Sequence, residues 1–195
     1  MLTVLTGCWG DRYPADYAER WRRSVERNIT IPHRTEIVWD EPEFPGWWGK
    51  VALFQRTGPH LWLDLDSVIT GSLDVLAGTN AQMRIARNWA RSGHGGCQSS
   101  VMYWEDARPV YDLFDAAHVQ WPPSNENGAL WGDQEWITLL RDTQRLKVDY
   151  FKPEHVVSYK YHCKTRVPDD ARVVCFHGDP KPDKVSKKWV KDCWR

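Results

Sequence analysis

Two aspartates, Asp64 and Asp66, close an apolar run that reads Leu61-Trp62-Leu63-Asp64-Leu65-Asp66. In an extended strand, residues two apart point to the same side, so this run delivers two carboxylates to one place. Like charges held that close repel unless a cation bridges them or one of them keeps a proton. Hard oxygen ligands suit Mg²⁺ or Mn²⁺, ions that keep positions open for substrate phosphate oxygens. The plainer alternative is that the pair ends the strand and caps the next segment, with Ser67 helping. A second chemistry-bearing stretch, Phe176-His177-Gly178-Asp179-Pro180-Lys181-Pro182, comes after the last apolar run. His177 can offer a neutral imidazole nitrogen to a metal. Gly178 lets the backbone approach a ligand, and Lys181 supplies a point charge suited to a diphosphate. Taken alone, the glycine and prolines read as a surface turn.

The elements that must position these groups alternate between short apolar runs and helix-like segments, the pattern of an α/β fold. Leu2 to Thr6 is a predicted strand, and Gly7 after it permits close backbone approach to a ligand. Pro14 opens a helix with Tyr17, Trp21 and Val25 at helical spacing. Glu36 to Trp39 is a second strand, Lys50 to Arg56 a short helix, and Leu61 to Asp66 a buried strand. Met83 to Ala86, Ser100 to Trp104 and Arg172 to Phe176 are further strands, and Arg108 to Ala117 and Gln134 to Arg141 carry helical spacing. Ser186 to Arg195 reads as a short basic helix. Gly93 to Gly96 and Trp121 to Gly128 read as loops. In such sheets ligands bind beyond the carboxyl ends of the strands, where Asp64 and Asp66 are expected. With no linker and no repeat in view, residues 1–195 are expected to form one domain.

The acidic pair, the late histidine and the run Gly178-x-x-Lys181-Pro182 together resemble the family 8 glycosyltransferases, the glycogenin and bacterial galactosyltransferase group, and their small bacterial and phage relatives. The resemblance implies a GT-A fold, a single Rossmann-like mixed sheet flanked by helices. It implies an enzyme, a glycosyltransferase, in which Asp64, Asp66 and His177 bind Mn²⁺ (or Mg²⁺). Gly178 and Lys181, with Asp64, would hold the diphosphate of the donor, expected to be a UDP-sugar. The family's histidine stands three residues before the glycine, where this chain has Cys175; His177 stands one before. By the same resemblance Thr6 and Gly7 line the nucleotide and Tyr13 stacks on its base. Lys50, in Trp48-Gly49-Lys50, and Arg87, past the strand Met83 to Ala86, are further donor contacts. Asp133 and Gln134 match an element that contacts the donor sugar in retaining members, so they are the expected catalytic pair. Read structurally, Asp133 could instead be an N-cap. Gln98, Ser99 and Ser100 occupy a region of sugar contacts, before a strand.

Composition sets bounds on all of this. The 195 residues carry no formal net charge, with 42% hydrophobic and 27% charged residues, so no global field draws the chain to nucleic acid or membrane. The absence of a signal-like start or a long apolar run, with five cysteines in no framework spacing, leads to an expectation of a cytoplasmic protein with reduced thiols. The 13 tryptophans are mostly expected in the core, with Trp47 and Trp48 candidates for an exposed stacking surface. Two other functions stay open. His162, Cys163, Cys175 and His177 could form a zinc-stabilised binding module. Alternatively, a GT-A enzyme could glycosylate a modified nucleobase, using Arg20, Arg22, Arg23 and Arg27 and the tail cations against phosphates. The acceptor is otherwise a glycan or small molecule, built around by Asn88 to Cys97 and Trp121 to Gly132. The basic C-terminus could also rest on anionic lipid.

Overall fold

A computed structural model describes residues 1–10, 13–39, 43–89, 96–115, 117 and 130–195. Its strands are β1 Leu2–Gly7, β2 His33–Val38, β3 His60–Leu63, β4 Ser67–Ile69, β5 Met83–Arg87, β6 Cys97–Trp104, β7 Val148–Tyr150, β8 Val156–Ser158 and β9 Val173–Cys175. The helices are α1 Ala15–Asn28, α2 Pro109–Asp112, α3 Asp133–Asp142, α4 Tyr159–His162 and α5 Lys188–Cys193, with a 3-10 helix over Gly46–Gln55. A six-stranded mixed sheet runs β2-β1-β3-β6-β5-β7, and a three-stranded sheet runs β4-β9-β8. Pairing is parallel at β1–β2, β1–β3 and β5–β7, and antiparallel where β6 meets β3 and β5.

The period-two alternation of the strands decides the two cores. Val4, Leu61, Leu63, Val101 and Tyr103 face a layer made by α1, the small sheet and the C-terminal segment. Leu5, Trp62, Met83, Ile85, Met102 and Trp104 face the Gly46–Gln55 helix, α2 and α3. Helix α1 buries Tyr17, Ala18, Trp21 and Val25, one stripe of a 3.6-residue period. Both faces of β1, β3 and β6 are therefore covered, which is why these strands read as continuous apolar runs.

Several boundaries differ from the sequence reading. The predicted strand Leu61 to Asp66 stops at Leu63, and β4 begins at Ser67. Between them the Ser67 amide donates to the Asp64 carbonyl at 2.9 Å, so the two aspartates sit in a turn rather than on one strand face. The predicted helix Lys50 to Arg56 is part of a ten-residue 3-10 run, Gly46–Gln55, that starts four residues earlier. Strand β6 begins at Cys97, three residues before the predicted start. Of the small sheet only β9 is predicted from sequence, within the apolar run Arg172 to Phe176; all three strands are three residues long, too short for a periodic signal. Helix α2 covers only Pro109–Asp112 of the predicted Arg108 to Ala117. The predicted loops at Gly93 to Gly95 and Trp121 to Gly128 lie outside the described residues, as do parts of the two expected acceptor segments. Among the described residues no helix is long and apolar enough to cross a membrane.

His60 in β3 makes one stability consequence testable. Its ring is stacked on Trp104 at 5.1 Å and its Nδ1 hydrogen-bonds the Gly58 carbonyl at 2.7 Å. Burial lowers its pKa below the usual histidine value. The unfolded chain therefore takes up this proton first, near pH 6.5, and stability falls as pH drops below that point. His60→Phe keeps the stacking and cannot titrate. Urea midpoints at pH 7.5 and 5.5 should differ less for this variant than for the wild type.

Candidate active site

The turn after β3 brings the two carboxylates to adjacent but chemically different settings. Asp64 accepts from the Trp62 indole N–H at 2.8 Å and pairs with Lys50 at 2.9 Å. Lys50 also meets Asp133 at 3.6 Å, and the Ser99 carbonyl and hydroxyl at 3.4 Å. Lys50 and Asp133 are both over nine-tenths buried, 7% and 4% exposed. Burial alone would strip the Lys50 proton, yet the carboxylates of Asp133 and Asp64 outweigh it and raise its pKa. Burial also opposes ionisation of Asp64, but the Lys50 ammonium and the hydrogen bonds from Trp62 and Ser100 hold it below the usual carboxylate range. Asp133 goes the other way: burial keeps its pKa raised in spite of Lys50. One of its oxygens, Oδ2, is buried without a hydrogen-bond donor.

Asp66 belongs to a second group. It accepts from the Tyr13 hydroxyl at 2.9 Å and forms an ion pair with Lys181. The Lys181 ammonium stands 5.5 Å from the centre of the Tyr13 ring. Burial and the Asp64 charge raise the Asp66 pKa, and neither Lys181 nor Tyr13 fully offsets them. Two like charges thus share one buried turn, the condition that a bridging cation relieves.

His177 forms a third group, past the end of β9. Its Nε2 lies 2.7 Å from the Ser158 hydroxyl, and its ring is stacked between Trp89 at 5.4 Å and Tyr161 at 6.1 Å. Burial and the nearby Lys160 and Lys181 push its pKa down to about 4, so it is neutral at physiological pH. Cys175, the residue at the spacing of the family's histidine, is buried in β9 opposite Ser67. Burial and the charges of Asp64 and Asp66 hold its thiol protonated.

Among the described residues no three His, Cys, Asp or Glu side chains converge to hold a metal ion. The four-ligand zinc arrangement is therefore not assembled. Ser158 engages both imidazoles, its amide donating to His162 Nδ1 at 2.9 Å, and burial pushes the Cys163 thiol up to about 11. The Asp64, Asp66 and His177 set is also not closed. Its carboxylate half is assembled, with two lysine ammoniums against it, and its imidazole half faces Ser158. A hard divalent cation fits the two carboxylates on charge and ligand type.

The remaining predicted residues fall on both sides of the site. The Thr6 hydroxyl is buried and without a hydrogen-bond partner. Gly7 is packed under the Trp9 ring, which a side chain there would strike at 1.8 Å. Gly178 has φ +68°, the left-handed region that favours glycine. Asp133 is not an N-cap: Gly132 takes that position and Asp133 is the first helical residue, turned to Lys50. Gln134 comes next, half-buried, on the same first turn. Arg87 is apart from the carboxylates; its guanidinium lies 3.9 Å over the Tyr150 ring, which accounts for its charge without a ligand. Trp48 is fully buried, so only Trp47 of the pair keeps surface.

Sequence reasoning gives little weight to Ser99 and Ser100 and passes over Ser158. A register shift between Ile85 and Ala86, which pair with Met102 and Gln98, leaves Ser99 to Val101 bulged away from β5. That bulge aims Ser99 at Lys50 and lets the Ser100 carbonyl accept from the Asp64 amide at 2.8 Å. Bulges beside active sites re-aim residues in this way. Polar residues inside an otherwise apolar strand are the only signal.

With this geometry, the likeness to solved structures becomes informative. No family model matches the chain and no curated protein is similar to it in sequence. The glycosyltransferase GlyE of Streptococcus pneumoniae TIGR4 superposes with a TM-score of 0.69 at 13% identity, over 100% of this chain and 60% of that one. An active-site variant of LgtC matches at 0.64 and 12%, over 97% and 93%. A glycosyltransferase involved in glycosylation of the major capsid of PBCV-1 matches at 0.61 and 14%, over 98% of each chain. The chain has the GT-A glycosyltransferase fold. It spans about 60% of the length of GlyE. In this GT-A fold the acidic turn, α3 and the late Gly-x-x-Lys-Pro segment meet at one place, which the contacts of Lys50 and Lys181 establish directly.

The two basic groups are largely consumed within the fold. Arg20 pairs with Asp16, Arg22 and Arg23 with Glu19, and Arg27 donates to the Cys193 and Arg195 carbonyls. In the tail, Lys184 pairs with Asp183 and Lys188 with Asp192, while Lys187 donates to the carbonyls of Cys163 and Lys164. These interactions give no support to a phosphate-tracking or lipid-facing cationic surface.

Proposed function

We propose that the protein is a metal-dependent glycosyltransferase that moves a sugar from a UDP-linked donor to an acceptor. The observation that carries this reading is the pairing of Asp64 and Asp66 in one buried turn, with Lys181 of the Gly-x-x-Lys-Pro run against Asp66. Asp64 and Asp66 would hold Mn²⁺ or Mg²⁺, with the neutral His177 as nitrogen donor, and the ion would act as Lewis acid on the leaving diphosphate.

The chain's own groups divide the remaining work. Breaking the anomeric C–O bond builds positive charge on the sugar and negative charge on the diphosphate. Lys181 supplies an ammonium to the leaving group, and Gly178 admits a phosphate close to the backbone. Thr6, Gly7 and Tyr13 line the nucleotide. Asp133 Oδ2, which has the Lys50 ammonium at 3.6 Å but no hydrogen-bond donor, would accept from a donor-sugar hydroxyl, with Lys50 and Ser99 holding the carboxylate in place. Gln134, next on the same helical turn, would face the anomeric carbon. Each carboxylate of the site, Asp64, Asp66 and Asp133, is paired with a lysine and so unsuited to double displacement. Front-side attack with retention is the favoured course. Arg87, engaged with Tyr150, is the weakest of the expected donor contacts.

The test is a panel of nucleotide sugars assayed for slow hydrolysis and transfer with Mn²⁺ and with EDTA. Metal-dependent turnover of one donor is expected, with NMR of the first-formed product showing the donor's anomeric configuration. Turnover indifferent to EDTA rejects the metal; the inverted anomer rejects retention.

A further inference from the structure

Both carboxylates of the acidic turn already hold a cation, and the two cations differ in how firmly they are kept. Lys50 is walled in by Asp64, Asp133 and both oxygens of Ser99, and its ammonium lies 5.5 Å from the centre of the Trp62 ring. Its side chain is 9% exposed. Lys181 stands at the end of Gly178-Asp179-Pro180, three exposed residues outside any helix or strand. Its ammonium touches Asp66, and its other described neighbours are the Phe176 carbonyl at 3.5 Å and the Tyr13 ring. The Lys181 side chain is itself mostly buried, 14% exposed, but its ammonium has one carboxylate partner where that of Lys50 has two. It can therefore leave Asp66 on its flexible stem without breaking a shared network.

We infer that Lys181 is the built-in counter-ion of the metal-free site, and that it makes divalent-cation binding conditional on a nucleotide diphosphate. Three carboxylates, Asp64, Asp66 and Asp133, face two ammoniums, Lys50 and Lys181, which leaves one net negative charge. A divalent cation arriving alone meets the Lys181 ammonium already on Asp66 and is repelled by it. A diphosphate offers Lys181 a more highly charged partner and frees Asp66 for the metal. The diphosphate in turn gains the ammonium only when Asp66 is compensated. The two ligands thus share one switchable lysine, and their coupling is reciprocal. A fixed cation in place of Lys181, such as Lys50, would give no such coupling.

This inference rests on the metal and donor reading above, and calorimetric titration separates the two. Wild type, Lys181→Met and Lys181→Arg would be titrated with Mn²⁺ alone and with Mn²⁺ in the presence of UDP, with GDP in parallel. A pH of 8 keeps a proton from replacing the lost ammonium on Asp66. Wild type should bind Mn²⁺ weakly alone and roughly tenfold or more tightly with nucleotide. Lys181→Met should bind Mn²⁺ alone roughly tenfold more tightly than wild type, with the nucleotide enhancement shrunk towards none. Lys181→Arg, which keeps the charge, should bind Mn²⁺ alone as weakly as wild type. If Lys181→Met, folded by circular dichroism, binds Mn²⁺ alone no better than wild type, the switch is wrong while the metal site stands. A Lys181→Met that does not fold passes the decision to Lys181→Gln, read the same way. If wild type binds no Mn²⁺ even with nucleotide, the metal reading and the switch fall together.

Discussion

Replacing Lys50 with methionine is expected to cost the folded state about 3–5 kcal/mol, the range for removing one partner of a buried ion pair. Methionine keeps the volume of the stem, so the loss is electrostatic rather than a cavity. Asp64 and Asp133 would be left facing each other in a buried site whose shared cation is gone. Burial already raises the Asp133 pKa with Lys50 in place, so without that ammonium this carboxyl should take up a proton more readily still. Denaturant midpoints then become steeply pH-dependent, with stability recovered on acidification because the folded state binds the extra proton. Adding Asp133→Asn to Lys50→Met should restore part of the loss and flatten the pH dependence. A double-mutant cycle measures the coupling. A stability loss under about 1 kcal/mol, the range of an exposed ion pair, would contradict this account of Lys50.

The second large effect separates stability from activity at Asp66. Its carboxylate is held above its normal pKa by burial and by Asp64, so ionised Asp66 is a burden on the apo fold. Asp66→Asn retains an acceptor for the Tyr13 hydroxyl and removes the like-charge repulsion. Lys181, which follows an exposed segment, keeps the Phe176 carbonyl as an acceptor. The variant should therefore unfold within about 1 kcal/mol of wild type, or later, as expected when a charge is held for function at the expense of the fold. Turnover of the donor should fall at least about 100-fold, since metal stabilisation of a leaving group is worth several kcal/mol. Asp64→Asn makes the contrast, because it leaves the walled-in Lys50 with a single carboxylate and should destabilise the chain. Thermal melts and initial rates on the same preparations check both halves. Full activity in Asp66→Asn would remove this residue from the site.

How legible the site is depends on whether its signal is local. Asp64, Asp66, Lys181 and Asp133 are visible in the sequence because short motifs carry them, and the structure joins Asp66 to Lys181 directly and Asp64 to Asp133 through Lys50. The shared strand face expected for the acidic pair does not hold. The chain turns at Asp64, and the carboxylates are neighbours because a turn folds them together. Ser99 carries little signal because its role comes from a bulge that depends on how β5 pairs with β6. Arg87, expected at the donor, lies over the Tyr150 ring, brought beside it by the parallel pairing of β5 with β7, a contact that no local motif announces.

The acidic turn and the Gly-x-x-Lys-Pro run show the division most clearly. The sequence by itself determined the α/β alternation, the buried β1, β3 and β6 runs, the amphipathic face of α1 and the presence of two carboxylates beside a strand end. These are local properties, set by side-chain period and residue type. Tertiary structure alone decided which lysine neutralises which aspartate, that Asp133 turns inward from Gly132's cap to reach Lys50, and that His177 rests on Ser158. Residue pairs such as Asp66 and Lys181 are 115 positions apart in the chain. Burial, which raises the Asp66 pKa, exists only after the sheets and helices have excluded water. The carboxylates of Asp64 and Asp66 are alike in sequence, and the fold gives one the walled-in Lys50 and the other Lys181.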